Sequence, residues 1–249
     1  MICPLKASKL ATAYLIAKEF VIRSGFHSEI DWQERLSFTD ISERDFLREM
    51  AWVVFSAGFR ENVLRKRFGQ ISEAFLQWSS ADAIYHARDA CRERALRVFN
   101  HPQKIQAILT TAQLTFQKGF PVIKRRIKSE GVEFLKQLSF VGPVTAFHLA
   151  KNLGLPAVKP DRHLVRIARV TGYDCPDSMC KAIASVVAEK ISVIDLVIWR
   201  FATLNPHYEV WFSDKASQCD TGVVENSFTT LRDRACLAPQ LYGSLAPSM

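Results

Sequence analysis

The sequence predicts an all-α protein, and three observations carry that expectation. Apolar residues recur at three- and four-residue steps along most of the chain, no run alternates as a strand would, and glycine is scarce, 10 residues in 249. Hydrophobic residues make up 48% and charged residues 23%, the balance of a globular protein rather than a disordered or low-complexity one. No period of 20–50 residues repeats, which argues against a solenoid.

Taken in order, Leu10, Tyr14, Ala17 and Val21 share one face of a first helix. Its apolar stretch from Ala11 to Ala17 is interrupted by Lys18 and Glu19 and lacks a small-residue cleavage site, so it reads as part of the fold rather than a leader. Phe46, Leu47, Met50, Ala51 and Val54 repeat the pattern. Further helices are expected over 61–78, 81–99, 102–117, 121–129, 132–138, 143–153, 162–171, 179–189 and 191–204, with breaks such as Asn100-His101-Pro102 and Lys118-Gly119-Phe120-Pro121. The apolar run from Ile191 to Leu204 contains Asp195 and Arg200 and falls short of the roughly 18 residues of a membrane span. Beyond Asn205-Pro206 the periodicity weakens, and Val223 to Cys236 is the segment there able to form one more helix.

Lys and Arg number 33 against 25 Asp and Glu, a net charge of +8 and a pI near 9.3. That field favours polyanionic partners, nucleic acid first and an anionic membrane surface second. Six scattered cysteines (Cys3, Cys91, Cys175, Cys180, Cys219, Cys236) match no zinc or iron–sulfur spacing, so a reduced, cytoplasmic protein without a metal or other cofactor is expected.

The region 132–170 holds the chemistry. Phe134, Leu135 and Leu138 form one apolar face, and 144–153 form a second helix. The link Ser139-Phe140-Val141-Gly142-Pro143 between them is short enough to fold the helices back on each other. Gly142 removes a Cβ where a partner approaches, Pro143 suits a first helical position, and the free amides of that helix start suit a phosphate. As plain architecture the same residues make an αα-hairpin turn. After Gly154-Leu155-Pro156-Ala157-Val158-Lys159-Pro160, Asp161 opens another helix, Arg162-His163-Leu164-Val165-Arg166.

This hairpin, the Gly/Pro-rich link and the Asp at a helix start resemble the helix-hairpin-helix DNA glycosylase superfamily. The segment Phe55 to Arg67 looks like the one with which these enzymes push a residue into the DNA stack, and is similar to a pattern in bacterial 3-methyladenine glycosylases. Asp195-Leu196-Val197-Ile198-Trp199 resembles the late helix behind their catalytic aspartate. Phe140 stands where the usual hairpin has its first glycine, and the zinc ligands of the 3-methyladenine enzymes have no counterpart here. The resemblance implies a subdomain over 30–150 ending in the hairpin at 132–153, a second built from 1–29 plus 155–249, and a DNA cleft between them.

It also implies that Asp161 is the catalytic carboxylate, stabilising an oxocarbenium-like sugar and activating water. An Asp before a helix is equally an N-cap, and the two roles are compatible. Bifunctional relatives attack the sugar with a lysine at the position of Val144; valine cannot, so a monofunctional enzyme leaving an abasic site is expected. Lys151, on the same helix, reads as a surface phosphate contact or a solvated lysine. Val144 and His148 share the face that looks into the base pocket, unless His148 is a surface or core histidine. Phe59 or Arg60 would fill the hole left by an extruded base, or Phe59 is core. Gly142, Phe140, Val144, Arg162 and His163 are expected at the DNA, with Arg65, Lys66, Arg67, Lys124, Arg125, Arg126, Lys128, Arg166 and Arg169 as backbone contacts. Asp195 reads as a buried, paired structural group. The expected partner of this monomer is double-stranded DNA carrying a damaged or modified base. Two alternatives stand beside it: a glycosylase for a hypermodified base of phage DNA, and a non-catalytic helix-hairpin-helix DNA-binding protein.

Overall fold

A computed structural model describes residues 4–217, and within them every regular element is helical. Apart from two 3-10 turns at Phe38–Asp40 and Leu76–Trp78, these are in chain order α1 (Pro4–Val21), a π-helical turn (Ile22–Phe26), α2 (His27–Arg35), α3 (Glu43–Ser56), α4 (Glu61–Ala74), α5 (Ala81–His86), α6 (Arg88–Val98) and α7 (Pro102–Lys118). They continue with α8 (Phe120–Glu130), α9 (Val132–Leu135), α10 (Pro143–Asn152), α11 (Arg162–Val170), α12 (Pro176–Val187), α13 (Ile191–Leu204) and α14 (Tyr208–Ser217). The all-α expectation holds over these residues, and none of the helices is long and apolar enough to cross a membrane.

Local chemistry sets the helix ends. Ser42 and Asp45 close a reciprocal capping box at the start of α3, each side chain accepting from the other's backbone amide. Several boundaries differ from the periodic pattern. α4 stops at Ala74, because Leu76, Gln77 and Trp78 adopt φ of 58°, 54° and 60°. That turn lays the Trp78 ring on Phe75 at 5.0 Å, and Trp78 Nε1 donates to Ser72 Oγ. The expected 81–99 helix breaks at Ala87, where ψ swings to 16°, while the apolar pattern runs on through the break and hides it. α9 ends at Leu135 and passes into tight turns, with Leu138 N donating to Leu135 O. α12 begins at Pro176 rather than 179, since Cys175 and Ser178 cap it. α14 was hidden because its apolar residues do not gather on one face: Tyr208 and Phe212 are buried, while Val210 between them is exposed. The segment Val223 to Cys236 lies outside the described residues.

Buried apolar side chains form two clusters. The first runs from Ile41 to Ala157 and takes in Phe46, Phe55, Leu64, Ile108, Phe134 and Leu149. The second combines Leu10, Tyr14 and Ala17 of α1, Ile30 of α2, and residues from Val158 to Phe212, including Leu164, Ile194 and Phe201. Each such fully buried side chain contributes on the order of 1.5–3 kcal/mol, so both clusters are substantial cores. The chain crosses between them at Ala157-Val158, immediately before Lys159-Pro160-Asp161.

Polar residues stitch this crossing. Gln33 Nε2 donates to Lys151 O, Asn152 Nδ2 donates to Glu49 Oε2 at 2.9 Å, and Lys151 Nζ pairs with Asp195. Arg200 reaches both Glu29 and Glu61, and Arg65 bonds the same two carboxylates. Gly154, at φ +79°, ends this seam; a Cβ there would come within 2.6 Å of Phe38 N, so only glycine lets the 37–38 backbone pass.

Candidate active site

Asp161 sits in extended backbone at the N-cap of α11, with Oδ1 accepting from His163 N at 2.9 Å and Leu164 N at 3.2 Å. Among the described residues no hydrogen bond reaches its Oδ2. The carboxylate is therefore a cap with one oxygen still open. Its position is held from behind: Lys159 N donates to Asp195 Oδ2 at 2.5 Å, and Asp161 N donates to Lys159 O at 2.8 Å.

Asp195 is 1% exposed and binds Lys151, itself 5% exposed. Lys151 is thus neither a surface phosphate contact nor a solvated lysine: its ammonium satisfies a buried carboxylate on another helix. Burial pushes the Asp195 carboxyl up, against the pull of Lys151 in the other direction. The reading of Asp195 as a buried structural partner holds.

Val144, 41% exposed, and His148, half-buried, lie on one side of α10. Burial, then the charges of Lys159 and Lys151, hold the His148 ring well below the usual histidine range, so it is neutral near pH 7. Lys159 is lowered by burial and by Lys151, while Asp161, Asp195 and Glu61 pull it back. Among the described residues its Nζ makes no hydrogen bond and no ion pair. From the sequence Lys159 stands, with Lys151, only as the fallback amine should borohydride trap an enzyme–DNA adduct; its only local signal is a lysine two residues before a helix-capping aspartate. Burial alone would raise the Glu61 carboxyl, but Arg200 and Arg65 bring it below its ordinary value.

A second group lies at the other end of α10. Phe59 is 44% and Phe140 42% exposed, so neither is core. His101 bridges them, its ring 6.2 Å from Phe59 and 5.9 Å from Phe140. Phe59 leans on Phe99 at 4.9 Å, and the buried Lys104 Nζ lies 4.5 Å beneath its ring while donating to Phe55 O and Ala57 O. Burial pushes Lys104 down to about 8. Three loops thus present one aromatic edge, which no sequence spacing could reveal. Phe140 holds φ +66°, a left-handed conformation that costs a non-glycine residue on the order of 1–3 kcal/mol. Gly142 caps α10 in extended backbone, and a Cβ there would meet nothing within 4 Å. The fold does not require that glycine.

The remaining expected contacts divide. Arg60, Lys66, Arg67, Arg125, Lys128, Arg162 and Arg169 are exposed. His163 packs its ring edge-on against Tyr208 at 5.2 Å, with Nδ1 buried and without a partner, so it faces α14. Arg65 is engaged by Glu29 and Glu61, Arg126 by Glu130, Arg166 by Glu209, and Lys124 by the carbonyls of Thr39 and Ile41. Among the described residues no three His, Cys, Asp or Glu side chains gather where a metal could sit.

Compared with family models, curated proteins and solved structures, the chain matches none of them.

Proposed function

We propose that the protein is a DNA glycosylase that hydrolyses the N-glycosidic bond of a flipped damaged or modified base in duplex DNA and leaves an abasic site. The observation that supports this reading is the Asp161 carboxylate: one oxygen is fixed by two helix amides, the other is open, and its loop is anchored on a buried aspartate. A carboxylate so held is already in place for charge developing at the sugar, which is where preorganised electrostatics contributes most. As the bond to the base breaks, Oδ2 faces the cationic sugar and takes a proton from the attacking water. Neutral His148, on the same helix side as Val144, is suited to a polar base edge. Val144 supplies no amine and Lys151 is committed to Asp195, which favours water as nucleophile. In this reading the hairpin is 132–153, the two apolar clusters are the subdomains on either side of the DNA, and the aromatic edge of Phe59 and Phe140 enters the stack with Arg60 beside it. The protein acts as a monomer in the cytoplasm, in keeping with the free thiols of Cys91, Cys175 and Cys180.

The test is Asp161→Asn, which keeps size and much of the cap but removes the charge. Base release, followed by mass analysis on a panel of damaged and naturally modified duplexes, should fall on the order of a hundredfold or more while duplex binding persists. Near-normal release would end the catalytic assignment and leave a non-catalytic DNA-binding protein.

A further inference from the structure

The lysine nearest Asp161 in sequence, Lys159, is unused by the fold among the described residues. Lys159 and Asp161 leave the same short turn at the crossing between the two apolar clusters, with Pro160 fixing the backbone between them. The turn is tied down at both ends of Lys159, its amide on Asp195 and its carbonyl on Asp161 N. The other lysine at this crossing, Lys151, is neutralised by its ion pair, whereas Lys159 has no acceptor among the described residues. An ammonium half-withdrawn from water without a partner is costly unless something else uses it. Asp161 attracts this charge, and together with Lys151 it acts on His148, on the side that the reading above gives to the base. In that reading the anchored turn carries the Asp161 carboxylate for the sugar and, two residues before it, an unpaired ammonium available to the base.

Building on the glycosylase reading, we propose that Lys159 carries the negative charge arriving on the departing base, and that the substrate is a base electrically neutral in DNA rather than a cationic alkylated one. As the C1′–N bond breaks, its electron pair leaves on the base, which takes a proton from the Lys159 ammonium. The water oxygen forms the new bond to C1′ and gives its proton to Asp161, and exchange with solvent restores both groups. A neutral base leaves as an anion and gains from this cation. An N-alkylated purine, already positive, leaves uncharged, gains nothing, and is repelled on entry. The similarity of the 55–67 segment to 3-methyladenine enzymes then does not extend to their substrate charge.

The experiment compares base release from methylated duplex, which carries cationic 7-methylguanine and 3-methyladenine, with release from duplexes bearing neutral bases such as uracil, 8-oxoguanine and 5-hydroxymethylcytosine. The wild-type protein should release at least one neutral base about tenfold or more faster than either cationic one. Lys159→Met should slow that release on the order of a hundredfold, with a markedly smaller loss on cationic bases, and Lys159→Arg should recover part of it. The circular dichroism spectrum and melting temperature of Lys159→Met should stay close to wild type, separating a lost charge from a lost fold. Faster release of cationic bases, or equal losses on both classes, overturns the proposal and leaves the glycosylase reading standing. So does borohydride trapping of Lys159 on an abasic-site duplex, which requires a neutral amine attacking the sugar. No release of any base by the wild-type protein overturns the glycosylase reading itself, and this proposal with it.

Discussion

The two ends of α10 lie within one short helix and use their polar groups in opposite ways. At the C-terminal end Lys151 and Asn152 are buried, and each bonds a carboxylate from a different helix, Asp195 of α13 and Glu49 of α3. At the N-terminal end Gly142, Pro143 and Val144 face outward, and among the described residues the side-chain space above Gly142 is empty and no side chain caps the free amides. A buried polar group must be satisfied inside the protein, so the C-terminal end is committed to architecture. The N-terminal amides are left to solvent or a ligand, and that end is the one able to do something else.

The largest expected effect breaks the architectural end. Lys151→Met leaves Asp195 buried without its cation and should lower unfolding free energy in urea by about 3–5 kcal/mol. Adding Asp195→Leu should restore only part of this, because Lys159 N then loses its acceptor as well. A loss below about 1 kcal/mol in the single variant would mean that the pair is not a buried structural unit.

A smaller effect is expected at the exposed end. Gly142→Asp adds a negative side chain where a phosphate would approach, and should weaken duplex binding about tenfold for every sequence alike. The open space above Gly142 predicts an unchanged circular dichroism spectrum and melting temperature. Unchanged affinity would reduce the hairpin to a connection between helices.

The smallest effect lies between the two ends, at His148. Its pKa is depressed in the folded protein, so between that value and its ordinary value the unfolded chain binds a proton that the folded one refuses. Stability is therefore fully present above about pH 6.5 and declines as the pH falls below it. His148→Gln should flatten this part of the curve, and the wild-type ring should remain neutral at pH 6.5 by NMR. A protonated ring at that pH would contradict the burial that separates His148 from the exposed Val144.

Legibility from the sequence follows the range of the interaction. The Asp161 cap, the Pro143 helix start and the shared side of Val144 and His148 depend on neighbours within four residues, and could be read directly. The fate of Lys151 depends on Asp195, 44 positions away, and a lysine on a helix looks the same whether it faces solvent or a buried carboxylate. The isolation of Lys159 was illegible for the same reason: it is the absence of acceptors among the described residues of several distant helices, a property that no single segment carries. The aromatic edge of Phe59, His101 and Phe140 joins three loops, and each ring alone passes for core. Helix existence was legible wherever apolar periodicity was strong, but the break at Ala87 was not, because a turn that preserves the phase of the apolar face leaves no mark on the pattern.

The second apolar cluster joins α1 to α12, α13 and α14, and this has a consequence for the biosynthesis of the protein. Leu10, Tyr14 and Ala17 are made well before their partners Ile194, Phe201 and Phe212, which come near the end of the described chain. At typical translation speeds the roughly 180 intervening residues take about 10–40 s to make. For most of that interval the apolar stripe of α1 lacks most of its native surface, while the first cluster, local to 41–157, can already condense. The nascent chain therefore passes through a stage with one core formed and one greasy helix waiting, the stage at which a chaperone, or a neighbouring chain on the same messenger, would find it.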